Sequence, residues 1–148
     1  RKLVEQALNK FVNIFSDVKI HYEYDDGNRQ IPADPAKLQL AVENIIQNAL
    51  EAMTNGGTLK ISSRFVRRKK KEMVQIVIAD TGGGMDPEEL RRLDEPFFTT
   101  KTMGTGLGYP LAQKIVEAHQ GVIKIRSKPD KGTTIELLLP ASLDRPNE

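Results

Sequence analysis

Three glycines at alternate positions, Gly104, Gly106 and Gly108, stand just before a helical pattern that runs from Pro110 to Ala118. Glycine leaves the backbone bare, so N–H groups can approach an anion and the chain can adopt positive φ. A helix that begins directly after such a loop adds unpaired N–H groups and the positive end of its dipole. The stretch therefore predicts either a phosphate-binding loop or a mobile connector, and it does not decide between them.

The composition narrows the class of protein. A chain of 148 residues can form one domain with a single core, and we expect residues 1–148 to be that domain, with a loosely ordered tail from about 141. A net charge of +2 gives no strong field for nucleic acid, and the lack of cysteine excludes disulfides and thiolate-bound metals. No apolar run approaches the roughly 18 residues of a membrane span. Since the chain starts at Arg1 and not at Met, we expect a piece of a longer protein, and the composition favours an intracellular setting.

Hydrophobic periodicity predicts helices and strands along the whole chain. Helical patterns cover 2–15, 35–53, 87–93 and 110–118, and strand patterns cover 18–24, 58–65, 73–79, 122–127 and 133–139. Asp34 followed by Pro35 is typical of a helix start, and Asn55-Gly56-Gly57 is typical of a helix end. Residues 94–106 contain few periodic apolar positions and indicate a mobile loop.

The helix at 35–53 carries a polar stripe. Asn44, Asn48 and Glu51 lie at i, i+4 and i+7, beside the apolar face. Asn lowers helix propensity by several tenths of a kcal/mol per residue relative to Ala, so the pair needs an explanation. The stripe is either a solvated edge or a row of oxygen ligands for a hard cation such as Mg²⁺.

A carboxylate ends the buried strand at 73–79. Asp80 is followed by Thr81-Gly82-Gly83-Gly84, which places an acceptor beside a bare loop. Residues at the carboxyl end of a strand often form hydrogen bonds with a bound ligand. Asp and Gly also form turns in which the Asp side chain only stabilises its own loop. Asp80 is therefore either a ligand-binding residue or a structural turn residue.

Three other features favour structural roles. The basic run at 67–71 lies between two strands and has no interleaved aromatics, which favours a solvated hairpin loop over a phosphate-backbone site. His21 falls on the polar side of a strand without a companion ligand. His119 stands in a last helical turn, where the helix dipole favours a cation.

Four motifs stand in a familiar order: 43–49 with both asparagines, 80–85 with Asp80, 95–101 with Phe-Phe-Thr-Thr-Lys, and the glycines of 104–108. Together they resemble the catalytic ATP-binding domain of bacterial sensor histidine kinases, in the superfamily that includes gyrase, Hsp90 and MutL. The Phe-Phe-Thr-Thr-Lys motif is most similar to the nitrogen-regulatory type, and the resemblance covers essentially the whole chain. It implies a two-layer α/β (α+β) sandwich of the Bergerat type. Three main helices would pack on one face of a mixed β-sheet, with ATP between helices and a lid.

The resemblance also implies the site. The residues it assigns to ATP binding are Asn44, Asn48, Glu51, Asp80, Gly82, Gly84, Met85, Phe98, Lys101, Gly104, Thr105, Gly106, Leu107, Gly108, and Thr133 or Thr134. Asn48 matches the Mg²⁺ ligand, and Asp80 matches the acceptor for the adenine amino group. Phe98 matches the anchoring aromatic of the lid, and Lys101 is placed to meet the phosphates.

Two departures from the family pattern affect this assignment. Glu51 and Ala52 stand where many kinases have Lys and an aromatic, so Glu51 is expected to act through water or Mg²⁺. Tyr109-Pro110 follows the last glycine, where Leu and a non-proline residue are common, and this alters the entry of the helix.

The implied activity is transfer of the γ-phosphate of Mg-ATP to a histidine on a separate dimerisation and phosphoacceptor domain. Hydrolysing members carry Glu at the position of Asn44, and an amide cannot serve as that base. A non-catalytic nucleotide-sensing or partner-binding module and a gyrase-type hydrolase remain the alternatives. The expected partners are the phosphoacceptor domain and, through the phosphohistidine, a response regulator. We expect a monomeric domain in the bacterial cytoplasm, without nucleic acid or direct membrane contact, that does not phosphorylate itself alone.

Overall fold

A computed structural model describes residues 1–25, 30–98 and 106–142. The helices are α1 (Lys2–Asn9), α2 (Pro35–Glu51), α3 (Pro87–Arg91) and α4 (Gly108–Ala118). The strands are β1 (Val18–Tyr24), β2 (Gly57–Arg68), β3 (Lys71–Asp80), β4 (Val122–Ser127) and β5 (Thr133–Pro140). Within these residues no helix is both long and apolar enough to cross a bilayer.

The five strands form one mixed sheet in the order β1-β2-β3-β5-β4. β1 runs parallel to β2, and the other neighbouring pairs are antiparallel. One face of this sheet carries the helices, so the expected α/β sandwich is confirmed. The core lies between the layers, where Ile46 of α2 and Leu137 of β5 are fully buried. Each such side chain contributes about 1.5–3 kcal/mol relative to an exposed one.

Helix α2 begins as its sequence predicts. The Asp34 side chain accepts a hydrogen bond from the Lys37 N–H at 3.1 Å, and Pro35 occupies the first helical turn. A cap of this kind is worth about 0.5–2 kcal/mol. The helix ends at Glu51, two residues before the predicted end, and β2 then begins at Gly57.

The first and last helices differ from expectation. Helix α1 ends at Asn9 and continues to residue 14 only as turns, in which Phe11 N–H donates to Leu8 O and Ile14 N–H donates to Phe11 O. Helix α4 starts at Gly108, so Pro110 is its third residue. Leu111 is 40% exposed, because Ala112 and Val116 form the buried face of this helix.

The basic run forms a hairpin, as expected. Lys69 and Lys70 have φ of 48° and 67°, which is the left-handed pair that a two-residue type I′ turn requires. The two neighbouring strands extend further than predicted, so Arg67, Arg68 and Lys71 belong to the β2–β3 ladder. The turn residues are exposed.

Candidate functional site

A cavity of about 470 Å³ opens between α2, α4 and the sheet. Its polar or backbone-rich wall consists of Asn44, Gln47, Asn48, Glu51, Asp80, Gly83, Gly84, Glu89, Gly106, Gly108 and Thr133. Its apolar and aromatic wall consists of Ile45, Ala49, Ala52, Ile78, Met85, Leu93, Phe98, Tyr109, Pro110, Ile125 and Ile135. The cavity thus brings together motifs that are far apart in sequence.

Asp80 forms one end of the cavity, at the carboxyl end of β3. The residue is 9% exposed, and its Oδ1 accepts hydrogen bonds from Gly82 N–H at 2.8 Å and Thr133 N–H at 3.3 Å. These two donors fix the carboxylate at the cavity wall. Both sequence interpretations therefore hold, because Asp80 supports its own loop and also presents an acceptor to the cavity.

The glycines after Asp80 are required by close packing. A Cβ at Gly82 would lie 2.5 Å from Ala52 O, where α2 ends. Gly84 has φ of 67°, and a Cβ there would overlap the carbonyl oxygen of Lys128. Gly132, with φ of 79°, packs in the same way on the carbonyl oxygen of Asp80. Loop 80–85 and turn 128–132 therefore interlock through one glycine each.

Two hydrogen bonds join loop 80–85 to turn 128–132 and to the end of β4. Asp130 N–H donates to Gly83 O at 2.7 Å, and Met85 N–H donates to Ser127 Oγ at 2.8 Å. Sequence reasoning missed Ser127. The available signal was its place opposite Thr133, since the two residues flank the five-residue turn 128–132.

Of the two candidate threonines, Thr133 lies at the cavity. Side chains alternate along a strand, and Ile135, two residues later, lines the cavity as well. Thr134 accordingly faces the opposite side of the sheet and is not part of the described cavity wall.

The polar stripe of α2 faces the cavity. Asn44 Nδ2 donates to Leu40 O at 2.9 Å, and Asn44 Oδ1 lies 3.1 Å from the position of a Cβ on Gly108. Glu51 Oε1 accepts from Gln47 Nε2 at 2.9 Å. Gln47 was not predicted as a site residue.

These residues could bind a hard cation whose remaining ligands are water and phosphate oxygens. The described part of the chain contains no group of three or more His, Asp or Glu side chains that could hold a metal. Amide oxygens of Asn44 and Asn48 are nevertheless hard ligands at the cavity. Mg²⁺ commonly takes only one or two protein ligands and completes its shell with water and phosphate oxygens. The donor set therefore fits Mg²⁺, and Asn48 as its ligand stays a prediction.

The N-terminus of α4 forms the other end of the cavity. Its cap residue is Leu107, which is 40% exposed and lies outside the described cavity wall. Among the described residues no side chain caps this helix, and Leu111 N–H donates to Leu107 O at 3.0 Å. Pro110 has no N–H, so the N–H groups of Gly108 and Tyr109 are the first-turn donors at the cavity.

Phe98 and Phe97 have opposite environments. Phe98 is half-buried, lines the cavity and carries the Arg92 guanidinium 4.2 Å from its ring centroid. Phe97 is 76% exposed with φ of 67°, and its N–H donates to Gly106 O at 3.2 Å. One ring thus anchors the segment, as the sequence suggests. The predicted site residues Lys101, Gly104 and Thr105 lie outside the described residues.

Tyr109 was noted in the sequence only as a departure from the family pattern. Its side chain is buried and lines the cavity. Burial raises the pKa of Tyr109, and the negative charges of Asp94 and Glu117 raise it further. The phenol is therefore held in its neutral form at this end of the cavity.

Neither histidine belongs to the cavity. His119 Nε2 accepts from Asp34 N–H at 3.0 Å, and its Nδ1 lies 2.7 Å from Ile115 O. These contacts tie the end of α4 to the start of α2, which is a structural role. His21 is an exposed residue of β1.

Glu43 faces away from the cavity despite its place beside Asn44. Burial would raise the pKa of Glu43, but hydrogen bonds from Lys10 and Gln39, together with the Lys10 charge, lower it. The Lys10 Nζ to Glu43 Oε2 distance is 2.7 Å. Glu43 thus links α2 to the segment that follows α1.

Comparisons with known proteins agree with this geometry. The family described as "Histidine kinase-, DNA gyrase B-, and HSP90-like ATPase" matches residues 33–143. Sporulation kinase E of Bacillus subtilis (strain 168) is 38% identical over 133 residues, which cover 90% of this chain and 18% of that protein. Among the first curated relatives, the chain spans between 18% and 30% of their length.

Solved structures share the fold. The catalytic domain of histidine kinase ThkA superposes with a TM-score of 0.83 and 27% identity, over 95% of this chain and 91% of that one. Full-length ShkA in complex with AMPPNP gives a TM-score of 0.78 over 94% of this chain and 29% of that one. At 22% identity, the second likeness concerns the fold alone.

Proposed function

Because the chain belongs to the histidine kinase-, DNA gyrase B- and HSP90-like ATPase family, we propose that it binds Mg-ATP and donates the γ-phosphate to a histidine on a separate phosphoacceptor domain. The relatives that match most of this chain are sporulation kinases and sensor histidine kinases of bacteria. The function would therefore belong to two-component signalling, with a response regulator receiving the phosphoryl group.

One observation carries the proposal. The cavity has a fixed carboxylate, Asp80, at one end and a helix N-terminus, at Gly108, at the other, with the amide of Asn48 on its wall. A nucleotide needs these groups in this order: an acceptor for an amino group on the base, oxygen ligands for a cation, and donors for phosphate.

The base would bind at the Asp80 end. Branched apolar side chains, Ile78 and Ile135 among them, line the cavity beside the carboxylate. Such walls favour a planar ring, and the carboxylate orients it by accepting a hydrogen bond from an exocyclic amino group. Adenine, which carries such a group, fits better than a base whose edge presents a carbonyl oxygen there.

The phosphates would bind at the start of α4. The N–H groups of Gly108 and Tyr109 and the helix dipole favour an anion at this place. Asn48, with Asn44 beside it, would hold Mg²⁺ through amide oxygens. When bound, Mg²⁺ would neutralise charge on the phosphate oxygens. Lys101 stays a predicted phosphate contact.

Transfer is favoured over hydrolysis by the residues around Asn44. Its amide cannot remove a proton from water, and its Nδ2 already donates to Leu40 O. Glu43, the nearest carboxylate in sequence, is held by Lys10 and Gln39. The role of this chain is then to position the triphosphate, while another domain supplies the nucleophile.

The decisive test is phosphotransfer in trans. The domain is mixed with the phosphoacceptor domain of its parent kinase, Mg²⁺ and γ-labelled ATP, and acid-labile label on the acceptor is measured. We expect label on the acceptor and none on the isolated domain. Binding of ATP without any labelled acceptor would favour a nucleotide-sensing module, and steady release of phosphate by the isolated domain would favour a hydrolase.

Binding itself is tested by thermal unfolding. Mg-ATP at about 100 times its dissociation constant should stabilise the domain by about 2.7 kcal/mol. The absence of any stabilisation at millimolar Mg-ATP would overturn the proposal at its first step.

A further inference from the structure

Ser127 holds together the base end of the cavity without lining it. It is the last residue of β4, is half-buried, and pairs across the hairpin with Thr133. Its Oγ accepts from Met85 N–H at 2.8 Å, donates to Gly132 O at 3.2 Å, and lies 2.8 Å from Thr133 Oγ1. One hydroxyl thus joins the loop after Asp80 to the start of β5.

Either hydroxyl of the Ser127–Thr133 pair can be the donor, and the other two bonds of Ser127 favour one of the two directions. A hydroxyl has one proton to donate and two lone pairs to accept with. Met85 N–H takes one lone pair of Ser127, and Gly132 O takes its proton. The remaining contact is then satisfied only if Thr133 donates its proton to the second lone pair of Ser127. In the opposite arrangement, Ser127 would face the Gly132 oxygen without a proton between them.

The consequence concerns Thr133, which does line the cavity. With its proton committed to Ser127, Thr133 Oγ1 has only lone pairs to offer a ligand. Asp80, whose Oδ1 is held by Thr133 N–H, is an acceptor too. The base end of the cavity therefore presents acceptors from two neighbouring side chains.

We propose that Ser127 is a positioning residue for base selection: by fixing the proton of Thr133, it makes the cavity prefer a 6-amino purine over a 6-oxo purine. The inference rests on the proposed function, since it assumes that the base of a nucleotide binds beside Asp80. A 6-oxo purine places a carbonyl oxygen where the 6-amino group would be, and acceptors on both sides repel each other. Without Ser127, the Thr133 hydroxyl is released and can donate to that oxygen.

The experiment compares dissociation constants of Mg-ATP and Mg-ITP, which differ at the 6 position of the base. They are measured for the unaltered domain and for S127A, T133V and the double variant. We expect S127A to lower the ratio of the ITP constant to the ATP constant by about threefold to tenfold, the worth of one hydrogen bond. In the T133V background, S127A should leave the ratio unchanged, because Ser127 acts through the Thr133 hydroxyl.

Two further variants separate positioning from general damage. S127T keeps the hydroxyl and should retain the original ratio. S127C keeps the shape of the side chain but forms weaker hydrogen bonds, so it should lower the ratio of the ITP and ATP constants in part. It also provides a test if S127A does not fold. A purely structural role would weaken both nucleotides equally and leave the ratio unchanged in every variant.

The outcomes distinguish the two proposals. If the unaltered domain binds ATP and folded S127A and S127C keep its ratio, the role of Ser127 is wrong and the proposed function stands. If S127A changes the ratio of the ITP and ATP constants equally in the unaltered and the T133V background, Ser127 does not act through the Thr133 hydroxyl. If the unaltered domain binds neither nucleotide, the proposed function and this inference fail together.

Discussion

The two ends of the cavity are built differently. At the proposed base end, Asp80, Thr133 and Ser127 are fixed by hydrogen bonds to one another and to nearby backbone. At the proposed phosphate end, α4 starts without a side-chain cap among the described residues, and neighbouring Phe97 holds a left-handed backbone while 76% exposed. The protein thus completes the base end by itself. The α4 end instead presents the first-turn N–H groups of Gly108 and Tyr109.

The largest effect is expected from Gly84→Ala. A Cβ would overlap Lys128 O, and φ of 67° adds strain, so we expect a loss of about 3 kcal/mol or more. Denaturant unfolding measures it, and nucleotide binding should disappear as the base end opens. Gly83→Ala is the matched control, because no atom of the described chain lies within 4 Å of its Cβ position. Equal stability of the two variants would contradict a base end fixed by interlocking loops.

Asp80→Asn tests the acceptor while keeping the shape of the side chain. Loss of a hydrogen bond to a charged group should weaken Mg-ATP binding by about 10- to 100-fold. Titration calorimetry gives the constant. The control is Asp130→Asn, an exposed turn position whose backbone N–H bond to Gly83 O is retained. If both variants bind ATP equally, Asp80 has only its loop-supporting role.

Pro110→Ala tests the phosphate end. It restores an N–H in the first turn of α4, beside the cavity. One more donor at a helix N-terminus should strengthen ATP binding by about twofold to fivefold. Pro35→Ala changes a proline in the first turn of α2, outside the cavity wall of the described chain, and should leave the affinity unaltered. An unchanged affinity in Pro110→Ala would mean that the phosphates bind elsewhere.

The last two effects concern stability at alkaline pH. Burial raises the pKa of Tyr109 above its ordinary value of 10.0, so the native state keeps a proton that the unfolded chain releases. Stability is therefore fully present below pH 10 and falls as the pH rises through the folded pKa. Tyr109→Phe should reduce this fall in unfolding experiments carried out from pH 10.0 upward. A slope identical to that of the unaltered domain would contradict burial of the phenol.

Tyr24 gives a second titration away from the cavity. Burial raises the pKa of Tyr24 to about 12, with the charge of Glu5 adding to it. Stability should therefore also fall between pH 10.0 and about 12, and Tyr24→Phe should remove that part. ATP binding measured at neutral pH should stay the same, since Tyr24 is not part of the described cavity wall.

Local signals in the sequence were sufficient for much of the fold. Asp34 before Pro35 identified the start of α2, because cap and first turn depend on adjacent residues only. The side of α4 that faces the core was not predictable in the same way. Leu111 and Ala112 are both compatible with its apolar face, and packing against α2 and the sheet decides which is buried.

The site was predictable where one residue type carries the chemistry, as at Asp80 and the asparagines of α2. Ser127 and Gln47 were not, because serine and glutamine are ordinary on strands and helices. Their places follow from strand register and from loop contacts between distant residues. The choice between Thr133 and Thr134 likewise needed the register of β5, since a shift of one residue reverses the side that a side chain faces.

The reciprocal glycine contacts have a consequence for engineering. Gly84 packs on the turn that ends in Gly132, and Gly132 packs on the backbone of Asp80. Each loop is therefore shaped to the main chain of the other. Grafting loop 80–85 from a relative into this chain should succeed only when turn 128–132 is transplanted with it, so the two segments form one unit of sequence exchange.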